Sequence, residues 1–160
     1  MNVPPLDWTL APFAALTVQQ LHDLLQLRCR IFVCEQACPY LDIDGLDALP
    51  GTRHVLGSAA GQLVVCARSL APHTLGDTDP VRGDARIGRV AVAESQRRRG
   101  LATLALQRVI DDLAERLPGV PIRLDAQLDA ASLYATAGFQ QIGEPFLDDG
   151  IEHVCMRRTG

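Results

Sequence analysis

Apolar positions along this chain recur at two periods, and the switches between them mark out its elements. Leu6 to Phe13, LDWTLAPF, alternates loosely between prolines, as an edge strand does. Thr17 and Gln20 then form a capping-box pair, and Leu21, Leu24, Leu25, Arg28 and Phe32 follow at helical spacing, which predicts a helix over Val18 to Phe32. RHVLGSA, Arg53 to Ala59, and LVVCARSL, Leu63 to Leu70, flank AAGQ as the arms of a hairpin, with the polar stretch 71–84 as its exit loop. Ala85 to Val92 reads as a further strand. Beyond it Ala102, Leu106, Val109, Ile110, Leu113 and Leu117 share one helix face, ended by Pro118 and Gly119. PIRLDAQ is a short buried strand, and DAASLYATAG a helix with Asp129 as N-cap and Gly138 as its left-handed stop. FQQI and IEHVCMRR form a last strand pair.

The order β-α-β-β-β-α-β-α-β-β, with no repeat and no linker, predicts a single α/β (α+β) domain over residues 1–160. The segment CEQACPYLDIDGLDALPG, rich in acids, Pro and Gly, reads as loop or short irregular helix between the first helix and the hairpin.

Composition removes whole classes of function. Hydrophobic residues make up 48% of the 160, with no low-complexity tract, which is the profile of a globular chain. No apolar run approaches the roughly 20 residues that span a bilayer, so no membrane role is expected. MNVPPLDWTL lacks a basic start and a continuous apolar core, which makes the cytoplasm the expected location. The five cysteines contain no C-x-x-C pair and read as reduced thiols, mostly core. Cys29, Cys34 and Cys38 match no standard cluster spacing, and no metal is expected. DIDG opens like a calcium loop, but Leu46, Asp47 and Arg53 occupy the fifth, sixth and twelfth positions, which discards calcium.

All fifteen basic residues are arginine. Without lysine there is neither a Walker A phosphate loop nor a pyridoxal phosphate Schiff base. A net charge of −4 and seven aromatic residues argue against a nucleic-acid partner.

The run Arg97, Arg98, Arg99, Gly100 therefore acts locally. It joins a strand directly to a helix, whose first amides lack partners and whose dipole end is positive. Gly100 lets an anion approach the backbone, Ala102 keeps the first turn uncrowded, and the arginines add charge-assisted contacts.

Val92, Arg97, Gly100 and Ala102 meet the pattern V-x-x-x-x-[QR]-x-x-G-x-[GA], and in this the chain resembles the GNAT superfamily of acetyl-coenzyme A-dependent N-acetyltransferases. LQLRCRIFVCEQACPYLDIDG, LYATAGF and DDGIEHVCMRR resemble its ElaA-like branch. The resemblance implies a mixed, V-splayed sheet flanked by helices, with coenzyme A held at the split between two central strands. It implies that backbone groups of Val90, Ala91 and Val92 pair with the pantetheine arm, and that the amides of Arg98, Arg99, Gly100, Leu101, Ala102 and Thr103 hold the pyrophosphate. Acetyl-coenzyme A is then a co-substrate, and Tyr134 falls where many of these enzymes carry a tyrosine that protonates the departing thiolate. Without the resemblance, Leu133, Tyr134 and Ala137 read as an apolar helix face with a satisfied hydroxyl.

Attack of an amine on a thioester needs a neutral amine, a polarised carbonyl and a proton for the thiolate. Glu35, Asp42, Asp44, His54, Asp125, Glu152 and His153 are available as base, with Glu35 and His153 leading. Arg28, Asp44 and His54 are expected at the substrate side, Arg28 either meeting an anionic substrate group or pairing with a carboxylate of the acidic loop. That loop is expected to attract a cationic amine from a small molecule or peptide. A non-catalytic module that senses coenzyme A or acyl-coenzyme A is the second reading. A homodimer through the terminal strands stays open.

Overall fold

In the computed structural model, which describes residues 5–76 and 82–160, the edge strand expected at the start is β1, Asp7–Ala11. It pairs antiparallel with β2, Arg53–Ala59, which turns through Ala60 and Gly61 into β3, Gln62–Leu70. Both turn residues have positive φ, 49° and 77°, the hand that matches the twist of two antiparallel strands. The exit loop after β3 falls partly on 77–81, outside the described residues. β4, Ala85–Val92, pairs antiparallel with β3 and parallel with β5, Ile122–Gln127. Two short strands, β6, Gln140–Gln141, and β7, Phe146–Asp148, flank β8, Ile151–Arg158, which pairs antiparallel with β5. The sheet order is β1-β2-β3-β4-β5-β8-β6, with β7 also on β8. β7 corrects the expected order: its three residues are exposed, show no alternation and become a strand only by pairing with β8.

Helices cover both faces. α2, Leu101–Arg116, lays Leu101, Ala105, Leu106, Val109, Ile110 and Leu113 against Val55, Val65, Ala67, Ile87, Leu124 and Val154. α1, Val18–Arg28, covers the other face, where Leu24 and Leu27 meet Leu56, Cys66 and Ala91. Adjacent residues of β2 and β3 thus go to opposite cores, and this is why those strands read as nearly continuous apolar runs. The capping box at Thr17 and Gln20 forms as expected. α1 does not reach Phe32 as an α-helix; at Cys29–Glu35 the chain widens into π-helical turns, with the Gln36 amide donating to the Ile31 carbonyl. α3, Ala131–Thr136, starts from Ala130 with no side-chain cap; Asp129, expected to cap it, lies in the preceding 3-10 turn.

The sheet splays at its centre. β4 and β5 register only Ala85 with Ile122 and Arg86 with Arg123 before they part. In the same region β4 carries a bulge: Gly88 opposes Arg68 and Ala91 opposes Cys66, so three steps of β4 match two of β3. The extra residue is Arg89, held at φ 53°. A bulge bends and over-twists its strand, which turns β4 away from β5.

Candidate functional site

Beyond Arg86 no strand of the described residues pairs with the β5-side edge of β4. Ala91 and Val92 pair with Cys66 and Val65 on the other side, so the edge from Gly88 to Val92 still has backbone groups to offer, although the Val92 carbonyl already accepts from Arg97 Nε at 3.2 Å. Val90 lines the cleft that this splay opens.

The end of β4 leads through a 3-10 turn, Glu94–Gln96, into the start of α2. Gly100 is the N-cap, at φ 76°, with no side chain capping the first turn. A Cβ built on Gly100 meets no atom within 4 Å, so both the amides and the space before them are open. Leu101 is buried in the core and anchors the turn, while Thr103, Arg98 and Arg99 are exposed. Arg98 is itself held at positive φ, 58°. This geometry fits a phosphate: uncapped amides, a positive dipole end and room for an anion at the backbone.

The cleft has a volume of about 480 Å³ and is lined on one side by Phe32, Gln36, Tyr40, Asp44 and Arg89, on the other by Asp125, Gln127, Tyr134 and His153. Tyr134 comes from α3 and packs edge-on against Phe139, ring centroids 6.2 Å apart. Burial pushes its phenol up to about 12, so it stays a proton donor throughout the neutral range. His153, on β8, stacks on Phe146 at 6.0 Å, and its Nδ1 lies 2.9 Å from the Ile151 carbonyl. A carbonyl can only accept, so Nδ1 carries the proton of the neutral ring and Nε2 keeps a free lone pair.

The wall on the α1 side is built on a buried ion cluster. Arg28 donates through Nε to Asp42 at 3.0 Å and through Nη1 to Asp47 at 2.8 Å. Arg68 donates to Asp44 at 2.8 and 2.7 Å and to Asp47 at 3.0 Å. Arg89 meets Asp42 at 2.8 Å and Asp44 at 3.1 Å, with its guanidinium 5.2 Å from the centre of the Tyr40 ring. Three arginines from α1, β3 and β4 thus neutralise three aspartates of one loop. Burial acts against ionisation of Asp44 and Asp47, but the arginine hydrogen bonds outweigh it; Asp44 is held down to about 2, and Asp47 below the usual carboxylate range.

This cluster decides between the two alternatives for Arg28 and corrects two expectations. Arg28 is 0% exposed and pairs with the loop, so it meets no substrate anion. His54 is equally buried, with Nε2 against the Asp47 carbonyl; burial lowers its pKa and keeps it neutral, and it is neither substrate contact nor base. The loop's Asp42, Asp44 and Asp47 are already paired, so they offer a cationic amine no free charge; of the three, only Asp44 lines the cleft. Glu35, a leading candidate for the base, closes the π-helical segment just beyond α1, outside the cleft lining, and grips Arg97 at 2.5 Å.

The sequence reading missed Arg68, Arg89 and Tyr40 as parts of this wall. One signal was present, because a glycine inside a strand, as Gly88 is in Ala85 to Val92, suggests a bulge. Cys38, Cys66 and Cys155 are buried, and Cys29 and Cys34 exposed; all five thiols are free. Among the described residues no group of three or more His, Cys, Asp or Glu is placed to hold a metal ion, and no helix is long and apolar enough to cross a membrane.

The family model described as acetyltransferase (GNAT) domain matches residues 56–159. Protein ElaA of Escherichia coli K12 is 37% identical over 153 residues, 96% of each chain. The crystal structure of Escherichia coli ElaA superposes with a TM-score of 0.86 at 36% identity, over 96% of this chain and 99% of that one. An acyl-CoA N-acyltransferase from Pseudomonas aeruginosa superposes with a TM-score of 0.85 at 38% identity, with the same coverage.

Proposed function

The chain belongs to the acetyltransferase (GNAT) family, whose members take an acyl group from coenzyme A, and from that premise we propose that it moves acetyl from acetyl-coenzyme A to a primary amine of a small molecule or peptide, by direct attack in a ternary complex. The observation that carries this reading is the splay of β4 from β5: one end leads to the uncapped start of α2, and the cleft it opens is lined by both Tyr134 and His153.

On this reading the amides from Arg98 to Thr103 hold the pyrophosphate, and the free edge of β4 at Val90, Ala91 and Val92 holds the pantetheine arm as an added strand would be held. When bound, acetyl-coenzyme A supplies a thioester whose carbonyl carbon accepts the amine. His153 Nε2 takes the proton of the incoming ammonium, directly or through water. Glu35 is the weaker choice of base, since its carboxylate is engaged by Arg97.

The role of Tyr134 is decided by magnitude. A phenol with a pKa of about 12 would give its proton to a thiolate of ordinary pKa near 8.5 at a cost of about 5 kcal/mol. Tyr134 therefore serves better as a hydrogen-bond donor to the departing sulfur than as a full acid, and solvent protonates the thiolate later. Such a bond to a charged group is worth about 1.5–3 kcal/mol, or roughly 10- to 150-fold in rate.

Two measurements test the reading. Coenzyme A should raise the melting temperature, and acetyl-coenzyme A with a broad amine panel should release thiol with at least one acceptor. A melting shift without thiol release from any amine would favour a coenzyme A sensor; no shift would remove the coenzyme site altogether.

A further inference from the structure

Glu35 and Gln36 close the π-helical segment and reach to opposite sides of the splay. Glu35 Oε1 accepts from Arg97 Nη2, on the loop that follows β4. Gln36 Oε1 accepts from Gln127 Nε2 at 3.3 Å, at the end of β5. Arg97 is also fixed by a second bond, from its Nε to the Val92 carbonyl at 3.2 Å. The guanidinium thus has an anchor within its own loop that does not depend on Glu35.

The Arg28 pairs and the Arg97 pair differ in exposure, and the difference decides what each can do. Arg28, Asp42 and Asp47 lie between 0 and 8% exposed, so their pairs cannot open without stranding charge in the interior. Arg97 and Glu35 are 38% and 35% exposed, and water can replace either partner at little cost. Arg97 stands three residues before Gly100, in the loop that leads into the uncapped start of α2, and Glu35 holds the charge of that arginine.

We infer that Glu35 is a displaceable counter-ion for Arg97: the guanidinium keeps its anchor on Val92 and exchanges the carboxylate for the pyrophosphate when coenzyme A binds, then takes the carboxylate back as the coenzyme leaves. The inference rests on the coenzyme A reading above. Its consequence is a site that holds its co-substrate less tightly than its amides and arginines allow, and that lets the spent coenzyme go faster. Glu35 is then a positioning residue acting through Arg97 and touches no reacting atom.

Titration calorimetry with coenzyme A, and with adenosine diphosphate as a probe that has the pyrophosphate but no pantetheine arm, tests this without turnover. Glu35→Gln should bind both about threefold more tightly than the unaltered protein, the scale of one partly exposed ion pair. The gain should shrink as salt rises, and stopped-flow displacement should show slower release of coenzyme A. In an Arg97→Gln background the Glu35→Gln change should have no effect, because the partner it frees is gone. Binding of coenzyme A by Glu35→Gln that is unchanged or weaker would mean that the pair orders the loop, and overturns the inference; so would a gain that survives in the Arg97→Gln background. If the unaltered protein binds neither ligand, the coenzyme A reading itself fails, which is a different result from either of these.

Discussion

Replacing Asp47 by asparagine tests whether the ion cluster holds the cleft wall in place. The change is nearly isosteric and removes one charge. Asp47 Oδ1 receives Arg28 Nη1 at 2.8 Å and Arg68 Nη1 at 3.0 Å, and its side chain is almost fully buried. The asparagine carbonyl can still accept from both, but neither guanidinium then faces the charge it was paired with. Arg28 keeps Asp42 and Arg68 keeps Asp44, so the loss should fall at the lower end of the range for a broken buried pair, about 3 kcal/mol. For a chain of this size that corresponds to a drop in Tm of about 6–12 °C. Urea denaturation followed by circular dichroism gives the free energy, and calorimetry the Tm. Asp148→Asn, the same chemical change on an exposed strand, is the control and should stay within about 0.5 kcal/mol of the unaltered protein. An Asp47→Asn protein as stable as that control would refute the claim that charge pairing fixes the loop.

Tyr134→Phe keeps the ring against Phe139 and should leave Tm within about 1 °C while lowering kcat roughly 10- to 150-fold with any amine that supports thiol release; unchanged kcat removes Tyr134 from the chemistry. Gly100→Val sets a β-branched residue at φ 76° and should weaken coenzyme A binding more than tenfold, whereas Arg98→Ala should weaken it a few-fold and only at low salt; calorimetry showing the reverse order would mean that side chains rather than amides hold the anion. Asp44, whose folded-state pKa is depressed to about 2, contributes stability that is complete above about pH 4 and is lost as pH falls towards 2; discounted for its partial exposure this is about 1 kcal/mol, and urea melts across that window should show it in the unaltered protein and not in Asp44→Asn.

Much of the frame was legible because local signals agreed with one another. β2 and β4 begin and end where short apolar runs give way to polar residues, and the Thr17 and Gln20 pair marks the start of α1 to the residue. The glycine-led start of α2 was legible for the same reason: a strand that runs into a helix through Gly100 has few conformations open to it. What was not legible depends on residues far apart in the chain. Arg28 finds its carboxylates 14 and 19 positions away, and Arg68 finds Asp44 24 positions away, so nothing near either residue announces that it is buried. The acidic loop was misread for the same reason: its charge is visible in sequence, and the three arginines that cancel it are not adjacent. β7 escaped because its strand character is supplied by its neighbour β8 and not by its own residues.

The bulge at Arg89 means that β4 is read in two frames. Before it, the odd-numbered Ala85 and Ile87 pack under α2; after it, the even-numbered Val90 and Val92 take that side, and the odd-numbered Ala91 turns to α1. Composition along this strand can drift while both frames are kept; the extra residue contributes the bend and not the facing of its neighbours. Losing Arg89 would restore plain alternation with Val90 and Val92 still under α2 and Ala91 still under α1, but it would remove the bend that parts β4 from β5 and, with the side chain, the pairs to Asp42 and Asp44. Deletion of Arg89 should therefore leave both cores packed and close the cleft, a change that no conservative replacement at the positions after it would make.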